Sequence, residues 1–311
     1  MEKRPLGSLQ VSVVGVGCNN FGSRLDQAAT TRVVLAALDA GINFFDTADI
    51  YGATQSEVLL GRALGARRSE VVIATKFGMP IDDDHYGARP DYVRQACEDS
   101  LRRLGTDHID LYQLHFPDGA VPIADTLGAL HGLIDAGKVR EIGCSNLNEA
   151  QLREAKAAAR TGASFASVQN QYSLLAREPE RDGVLDACDE LGIRFLPFYP
   201  LANGLLTGKV QPGQPLPQGT RLSTMPADRS VHWLSDEIQG RVGALLDYAQ
   251  EIEIPLLSLA FSWLLSHHQV SSVIAGASSA EQVHANAHAV QPLSAEVIAA
   301  LDVLTDWTDP Q

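Results

Sequence analysis

Short apolar runs alternate with helix-period segments along nearly the whole chain, and this alternation limits the available folds more than any other feature. "DQAATTRVVLAALDAG" carries apolar residues at helical spacing and is followed by the extended run "INFFD". "SEVLLGRALG" then leads to "EVVIATKFG", "DYVRQACEDSLRRLG" to "IDLYQLH", and "IADTLGALHGLIDAG" to "VREIGCSN". "NEAQLREAKAAART" leads to "FASVQNQYS", "GVLDACDELG" to "IRFLPFYP", and "LSLAFSWLLSHH" to "VSSVIAGAS". With "VVGVG" near the N-terminus as the first, eight runs of strand length result. Strands that alternate with helices pair in parallel, because each crossover helix returns the chain to the same end of the sheet. Eight such units in 311 residues predict an α/β fold, one (β/α)8 TIM barrel spanning 1–311, better than an open doubly wound sheet. Most helical segments stop at a glycine (Gly41, Gly65, Gly105, Gly137, Gly192), the residue that most readily ends a helix in the left-handed conformation.

Four segments fall outside the repeat. The opening "KRPLGSLQVSVVGVG" reads as two extended pieces around a Gly-Ser turn, an N-terminal β-hairpin. Amphipathic segments around 235–252 and 294–305 exceed the eight units and are expected to be two extra helices outside the barrel. Residues 201–230, rich in Pro and Gly, follow the seventh strand. They are therefore expected at the C-terminal mouth, where barrel enzymes carry their sites.

The formal net charge of −14 and pI near 5.0 argue against nucleic acid or an anionic membrane as the main partner. A local pocket can still oppose the global sign. No stretch approaches the roughly 18–20 apolar residues of a membrane span, and "MEKRPLGSLQ" lacks the apolar core of a signal peptide. Cys18, Cys97, Cys144 and Cys188 lie far apart without metal spacing, as expected for reduced thiols in a cytoplasmic protein.

In a barrel the C-terminal strand ends share one mouth, so the polar residues there are read together. Asp46 ends the second strand, with Tyr51 shortly after it; Lys76 ends the third and His115 the fourth. Ser145 with Asn146, Gln169 with Asn170, and Phe198 with Tyr199 end the next three. Singly, an Asp here is a cap or turn residue, and a lone Lys or His is a solvated or satisfied polar group. As a set they have a specific chemistry. A phenol has an ordinary pKa of about 10. A neighbouring ammonium stabilises the phenolate and lowers that value, a carboxylate holds the ammonium, and a histidine orients the substrate oxygen or relays the proton. Such a set makes a general acid that protonates a carbonyl oxygen as hydride reaches its carbon, with no metal. A metal-dependent hydrolase using Asp46, Asp49 and His115 would need more converging ligands than these strand ends supply.

"NFFDTADIYG", "ATKFG", "LYQLH", "IGCSN" and "VIAGASSAEQVHAN" stand in an order and spacing that resemble the aldo-keto reductase superfamily, over nearly the whole chain. "GLLTGK" makes the likeness nearer to the bacterial and potassium-channel β-subunit branches. The resemblance implies a catalytic tetrad of Asp46, Tyr51, Lys76 and His115, and NADPH (or NADP+) lying extended across the barrel mouth. It implies that Ser145, Asn146 and Gln169 hold the nicotinamide carboxamide, and that Phe198, followed by Tyr199 and Pro200, stacks on the ring. Leu201, Gly204 and Lys209 would contact the pyrophosphate, and Gly276, Ser278, Gln282 and Asn286 the adenosine. That last segment opens a helix, whose free N–H groups favour an anion. Gly17, Cys18 and Asn19 in "GCNNFG" would lie close to the nicotinamide. Gly276 and Gln282 stand where many relatives place Lys and Arg to grip the 2′-phosphate, so Arg221 from the long loop is the replacement expected; NADPH is favoured and NADH is the alternative. Ala285 stands where a Glu often contacts adenine.

The expected function is NADP(H)-dependent reduction of aldehydes and ketones to alcohols, reversibly, with Tyr51 as acid or base. The alternative is a redox-sensing NADPH-binding subunit with little turnover. Asp49 is expected to shape or cap its loop rather than to react, and Trp233 and Tyr86 either line the pocket or pack on the surface. The partner is a small-molecule carbonyl substrate. The loops around 80–90 and 211–232 are this chain's own, and the pattern selects neither a particular carbonyl nor a monomer over a homo-oligomer.

Overall fold

The computed structural model describes residues 1–307. Its strands are β1 (Lys3–Leu6), β2 (Leu9–Ser12), β3 (Val14–Gly17), β4 (Phe44–Asp46), β5 (Val72–Phe77), β6 (Ile109–Leu114), β7 (Val139–Ser145), β8 (Ser167–Gln171), β9 (Arg194–Phe198) and β10 (Val273–Gly276). β3 to β10 form one parallel sheet in the order β10-β3-β4-β5-β6-β7-β8-β9. Backbone bonds from Phe195 N–H to the Gln269 carbonyl (2.8 Å) and from Ser271 N–H to the Phe195 carbonyl (3.1 Å) join the two ends. The (β/α)8 barrel expected from the alternation is the fold observed.

Neighbouring residues of one strand enter different cores, as the two-residue period of a strand requires. Phe44, Val72, Ala74, Leu111, Leu196 and Ile274 form the barrel's interior cluster. Phe45, Ile73, Tyr112, Ile142 and Phe195 belong to the larger cluster between barrel and helices. Burial on both faces explains why β5 is buried at every position despite containing Thr75 and Lys76.

The N-terminal hairpin is β1 paired antiparallel with β2. Its Leu6, Leu9 and Val11 complete the interior cluster, so the hairpin closes the barrel at the end opposite the mouth formed by the C-terminal strand ends. Arg4 ties it down by donating to the Leu265 and Val270 carbonyls, both at 2.9 Å. Glu141 accepts from the Ser8 N–H at 2.7 Å.

The two extra helices are Asp236–Glu251 and Ala295–Leu304, the second tied to the helix Leu256–Ser266 by a bond from Trp263 Nε1 to Asp302. The helix Gln55–Leu64 packs against Pro90–Leu104 so closely that a Cβ on Gly61 would lie 2.2 Å from the Leu104 carbonyl oxygen. The loop after β9 contains only short pieces, 3-10 turns at Ala202–Thr207 and Leu222–Thr224 and a helix at Ala227–Ser230. Among the described residues no helix is long and apolar enough to cross a membrane.

Candidate active site

The loop after β4 sets the geometry of the mouth. It leaves Asp46 running beside β5: Thr47 N–H donates to the Ala74 carbonyl (2.8 Å), and Asp49 N–H to that of Lys76 (3.1 Å). It then turns at Gly52, which takes φ +59°, and whose Cβ would sit 2.4 Å from the Phe21 carbonyl oxygen. Only glycine fits both demands. Tyr51 is thereby placed over the strand ends that carry Asp46 and Lys76.

Lys76 is fully buried, and its Nζ donates to Asp46 Oδ2 (2.6 Å) and to the Thr47 carbonyl (2.9 Å). The other Asp46 oxygen accepts from Gln169 Nε2 (2.9 Å) and Gln113 Nε2 (3.2 Å). The ammonium lies 5.3 Å from the centre of the Tyr51 ring. The imidazole of His115 meets that ring edge-on, with centres 5.8 Å apart, and stacks on Phe116.

Burial disfavours the Lys76 ammonium, but Asp46 and the Tyr51 phenol outweigh it and raise its pKa, so the charge stays on lysine. For Tyr51 the net direction differs from the one expected of a phenol beside an ammonium. Burial raises its pKa, Lys76 pulls it down, and Asp46 pushes it up again, leaving it above the ordinary value. The Asp46–Lys76 pair is close to neutral as seen from the phenol, so the lysine moderates the cost of burial without reversing it. His115 is lowered to about 3, by burial first and Lys76 second. A neutral imidazole can orient a carbonyl oxygen through an N–H, but it cannot relay a proton as imidazolium near neutral pH.

A cleft of about 820 Å³ opens above this group. Of the residues expected at the site, Gly17, Asn19, Asp46, Tyr51, His115, Ser145, Asn146, Gln169, Phe198, Tyr199, Pro200, Leu201, Gly204, Lys209, Arg221, Gly276, Ser278, Gln282 and Asn286 line it. Lys76 stands behind Asp46. Cys18 is not brought to the cleft: its thiol is sealed behind the wall, directed at the Val16 carbonyl (3.6 Å), and burial raises its pKa well above the usual range. Tyr86 and Trp233 are also off the wall. The first lies exposed under Arg89, and the second packs against the core and His232.

The polar contacts define three regions. At the floor, Asn146 takes φ +61° and its amide donates to the His115 carbonyl and to Ser145 Oγ, both at 3.0 Å. Ser145 Oγ donates to the Gln169 carbonyl at 2.7 Å. Over the rim, the Arg221 guanidinium lies 5.3 Å from the Tyr199 ring centre, and Arg24 reaches the Gly219 carbonyl of the long loop at 2.9 Å. At the far end, two of the N–H groups around the start of the helix Ala280–His288, those of Ser278 and Gln282, are engaged by side chains. Gln282 Oε1 accepts from the Ser278 N–H (2.8 Å) and hydroxyl (3.1 Å), and Ser279 Oγ accepts from Gln282 N–H (3.3 Å).

Sequence reasoning missed several wall residues: Asn20, Arg24, Ile50, Met79, Phe116, Met225 and Arg229 line the cleft as well, and Gln113 supports Asp46 from inside β6. Arg24 and Arg229 carried a signal, being cations in loops next to a predicted mouth of an acidic chain. Gln113 carried none, since a glutamine within a strand reads as an ordinary polar residue.

A nicotinamide dinucleotide phosphate fits this wall. Asp46 is the only carboxylate among the described lining residues and is paired with Lys76, whereas Arg24, Lys209, Arg221 and Arg229 supply positive charge. Asn19 Oδ1, Asn203 Oδ1 and His115 Nδ1 are buried without protein partners, which leaves polar groups for a ligand to engage.

The aldo/keto reductase family model matches residues 13–306. The chain is 33% identical over 304 residues to a probable voltage-gated potassium channel subunit beta of Arabidopsis thaliana, covering 93% of this chain and 91% of the relative. It is 38% identical over 208 residues to a probable aldo-keto reductase 1 of Glycine max, covering 64% of this chain and 59% of that one. Its structure matches the holo form of aldo-keto reductase AKR11C1 from Bacillus halodurans with a TM-score of 0.79 and 33% identity, over 98% of this chain and 96% of the other. With a parallel eight-stranded barrel, a mouth of this make-up and a family match of this extent, the chain belongs to the aldo/keto reductase family.

Proposed function

We propose that the protein reduces aldehydes and ketones to alcohols, reversibly, with NADPH as the electron donor. The observation that carries this reading is the buried Asp46–Lys76 pair placed beside Tyr51 and a neutral His115 at the base of a cation-lined cleft. Ser145, Asn146 and Gln169 would hold the carboxamide, Phe198 would face the ring, and Lys209, Arg221 and Arg24 would meet the phosphates. The nicotinamide would supply a hydride to the carbonyl carbon.

The chain's own residues handle the oxygen. His115 presents a neutral N–H that fixes the carbonyl oxygen near Tyr51. The phenol gives its proton to that oxygen as negative charge develops on it, and the phenolate left behind is stabilised by the Lys76 ammonium. Asp46 keeps that ammonium charged and in place, while Gln113 and Gln169 satisfy the remaining carboxylate oxygen. In the oxidative direction the phenolate takes the proton back from the alcohol. Arg221 supports NADPH over NADH, because it brings a fixed cation to the rim where Gly276 and Gln282 bring none.

The 33% identity to a probable channel subunit over most of both chains favours a second reading, an NADPH-binding subunit with little turnover. One assay separates the two. Loss of nicotinamide absorbance with nitrobenzaldehyde is expected, and Tyr51→Phe should slow it by about 10²–10⁴-fold. Turnover that survives Tyr51→Phe sinks the proposed chemistry. NADPH binding without turnover supports the second reading, and absence of binding in a fluorescence titration removes both.

A further inference from the structure

Behind Lys76, away from the cleft, lies a cluster of buried polar side chains, called the chamber below, that takes no part in the scheme above. Asp49 is fully buried there, and neither of its carboxylate oxygens has a side-chain hydrogen-bond partner. The hydroxyls of Tyr92, on the helix Pro90–Leu104, and of Tyr112, on β6, are buried without partners as well. Glu57, on the helix Gln55–Leu64, is equally buried but fully engaged. Its Oε1 accepts from the Thr75 hydroxyl and its Oε2 from Arg103 Nε, each at 2.6 Å. The chamber thus holds two carboxyl groups and one guanidinium, and Glu57 has claimed the guanidinium.

A buried carboxylate with no side-chain partner and a second acid nearby is held in its protonated form, because ionising it would place unpaired charge in a medium that solvates it poorly. Asp49 is also tied to the catalytic strand. Its N–H donates to the Lys76 carbonyl, and it precedes Tyr51 by two residues. The groups that face it are Glu57 from its helix, Arg103 and Tyr92 from Pro90–Leu104, Tyr112 from β6, and Lys76 from β5. Burial holds both phenols protonated, so neither competes for a titration near neutrality.

We infer that Asp49 is a positioning residue for the carbonyl chemistry: it stores a proton in the chamber behind Lys76, and loss of that proton changes the charge against which Lys76 and Tyr51 work. The inference deepens the proposed reductase reading and rests on it. Burial first, then Glu57, push the Asp49 carboxyl up to about 7, against Arg103, the Ile50 N–H and Lys76. Below that pH the chamber is neutral at Asp49. Above it, a second negative charge joins that of Asp46 on the same ammonium. The phenolate is then less stabilised, Tyr51 holds its proton more tightly, and reduction slows.

Two measurements test this. With aspartate carboxyls labelled by carbon-13, the infrared spectrum of the protein without cofactor should show a protonated aspartic acid band that is lost as pH rises through about 7. The label separates Asp49 from Glu57, and Asp49→Asn should lack the band. Second, kcat for nitrobenzaldehyde reduction by wild type should fall about 3–10-fold across the same interval, while Asp49→Asn keeps the low-pH value throughout. A merely structural role would lower kcat in Asp49→Asn equally at every pH, and that result overturns the inference. So does an Asp49→Asn profile that keeps the wild-type inflection. The wild-type spectrum needs no variant to fold, and absence of a titrating aspartic acid band also overturns the inference. Absence of turnover by wild type overturns the reductase reading and the coupling with it, whereas the band reports the chamber either way.

Discussion

Burial keeps His115 neutral down to about pH 3, and this has consequences for stability as well as chemistry. An unfolded histidine takes up a proton as pH falls through about 6.5, and the folded chain refuses it at this position. The unfolded state therefore binds more protons between those two values, and folding free energy declines as pH falls across that window. His115→Gln should remove this part of the acid sensitivity, measured as urea midpoints at pH values inside and above the window, and imidazole NMR of the wild type should show one histidine that does not titrate there. Lys76→Met tests the buried pair. It leaves Asp46 without its cation and should cost about 3–5 kcal/mol in chemical denaturation, part of it recovered when Asp46→Asn is added. Strand-end reading located Asp46, Tyr51, Lys76 and His115 because a barrel sends all those ends to one mouth. It read Asp49 as a loop-shaping residue without foreseeing its full burial, which depends on where Glu57 and Arg103 come to lie after two helices have packed, and it credited Cys18 with a place on a wall that its inward rotation denies it.

Elements with a strong period were legible in the chain and irregular ones were not. The helices, the glycine stops and the hairpin all follow from local pattern, and they appear where the pattern puts them. The segment 201–230 was recognisable as a mouth loop, yet its path is set by contacts from outside it, such as Arg24 to the Gly219 carbonyl and Arg221 against Tyr199. For that reason the rim cations could be counted in the sequence but not placed. Arg221→Ala should weaken NADPH binding about tenfold and leave NADH nearly unchanged, as expected if one charge-assisted contact to the extra phosphate is lost; equal weakening of both cofactors would assign Arg221 to the shared pyrophosphate. Packing between the helices Gln55–Leu64 and Pro90–Leu104 has its own test. Alanine at position 61 would favour the helix by about 1 kcal/mol. Its Cβ, however, would meet backbone at 2.2 Å, which cannot yield without moving a helix. Gly61→Ala should therefore lower stability by about 1–3 kcal/mol and reduce Tm.

The whole molecule carries a formal charge of −14, whereas the described cleft wall carries Arg24, Lys209, Arg221 and Arg229 with a single, paired carboxylate. An anionic cofactor meets repulsion at long range and attraction at short range. Salt screens charges over a Debye length of about 10 Å at 0.1 M, so the local contacts decide the bound state. NADPH affinity should fall as salt rises, and a rise instead would mean that the global charge dominates. The hairpin at the opposite end adds a kinetic consequence. Because the barrel interior is packed and β1 and β2 cap its floor, two reactants share one opening, and the one seated deeper cannot leave past the other. Ser145 and Gln169, expected to hold the nicotinamide, are buried at the bottom of that opening, while Phe116, stacked on His115, is 47% exposed. The cofactor should therefore arrive first and depart last, a compulsory order that product inhibition would reveal as NADP+ competing with NADPH at every carbonyl concentration.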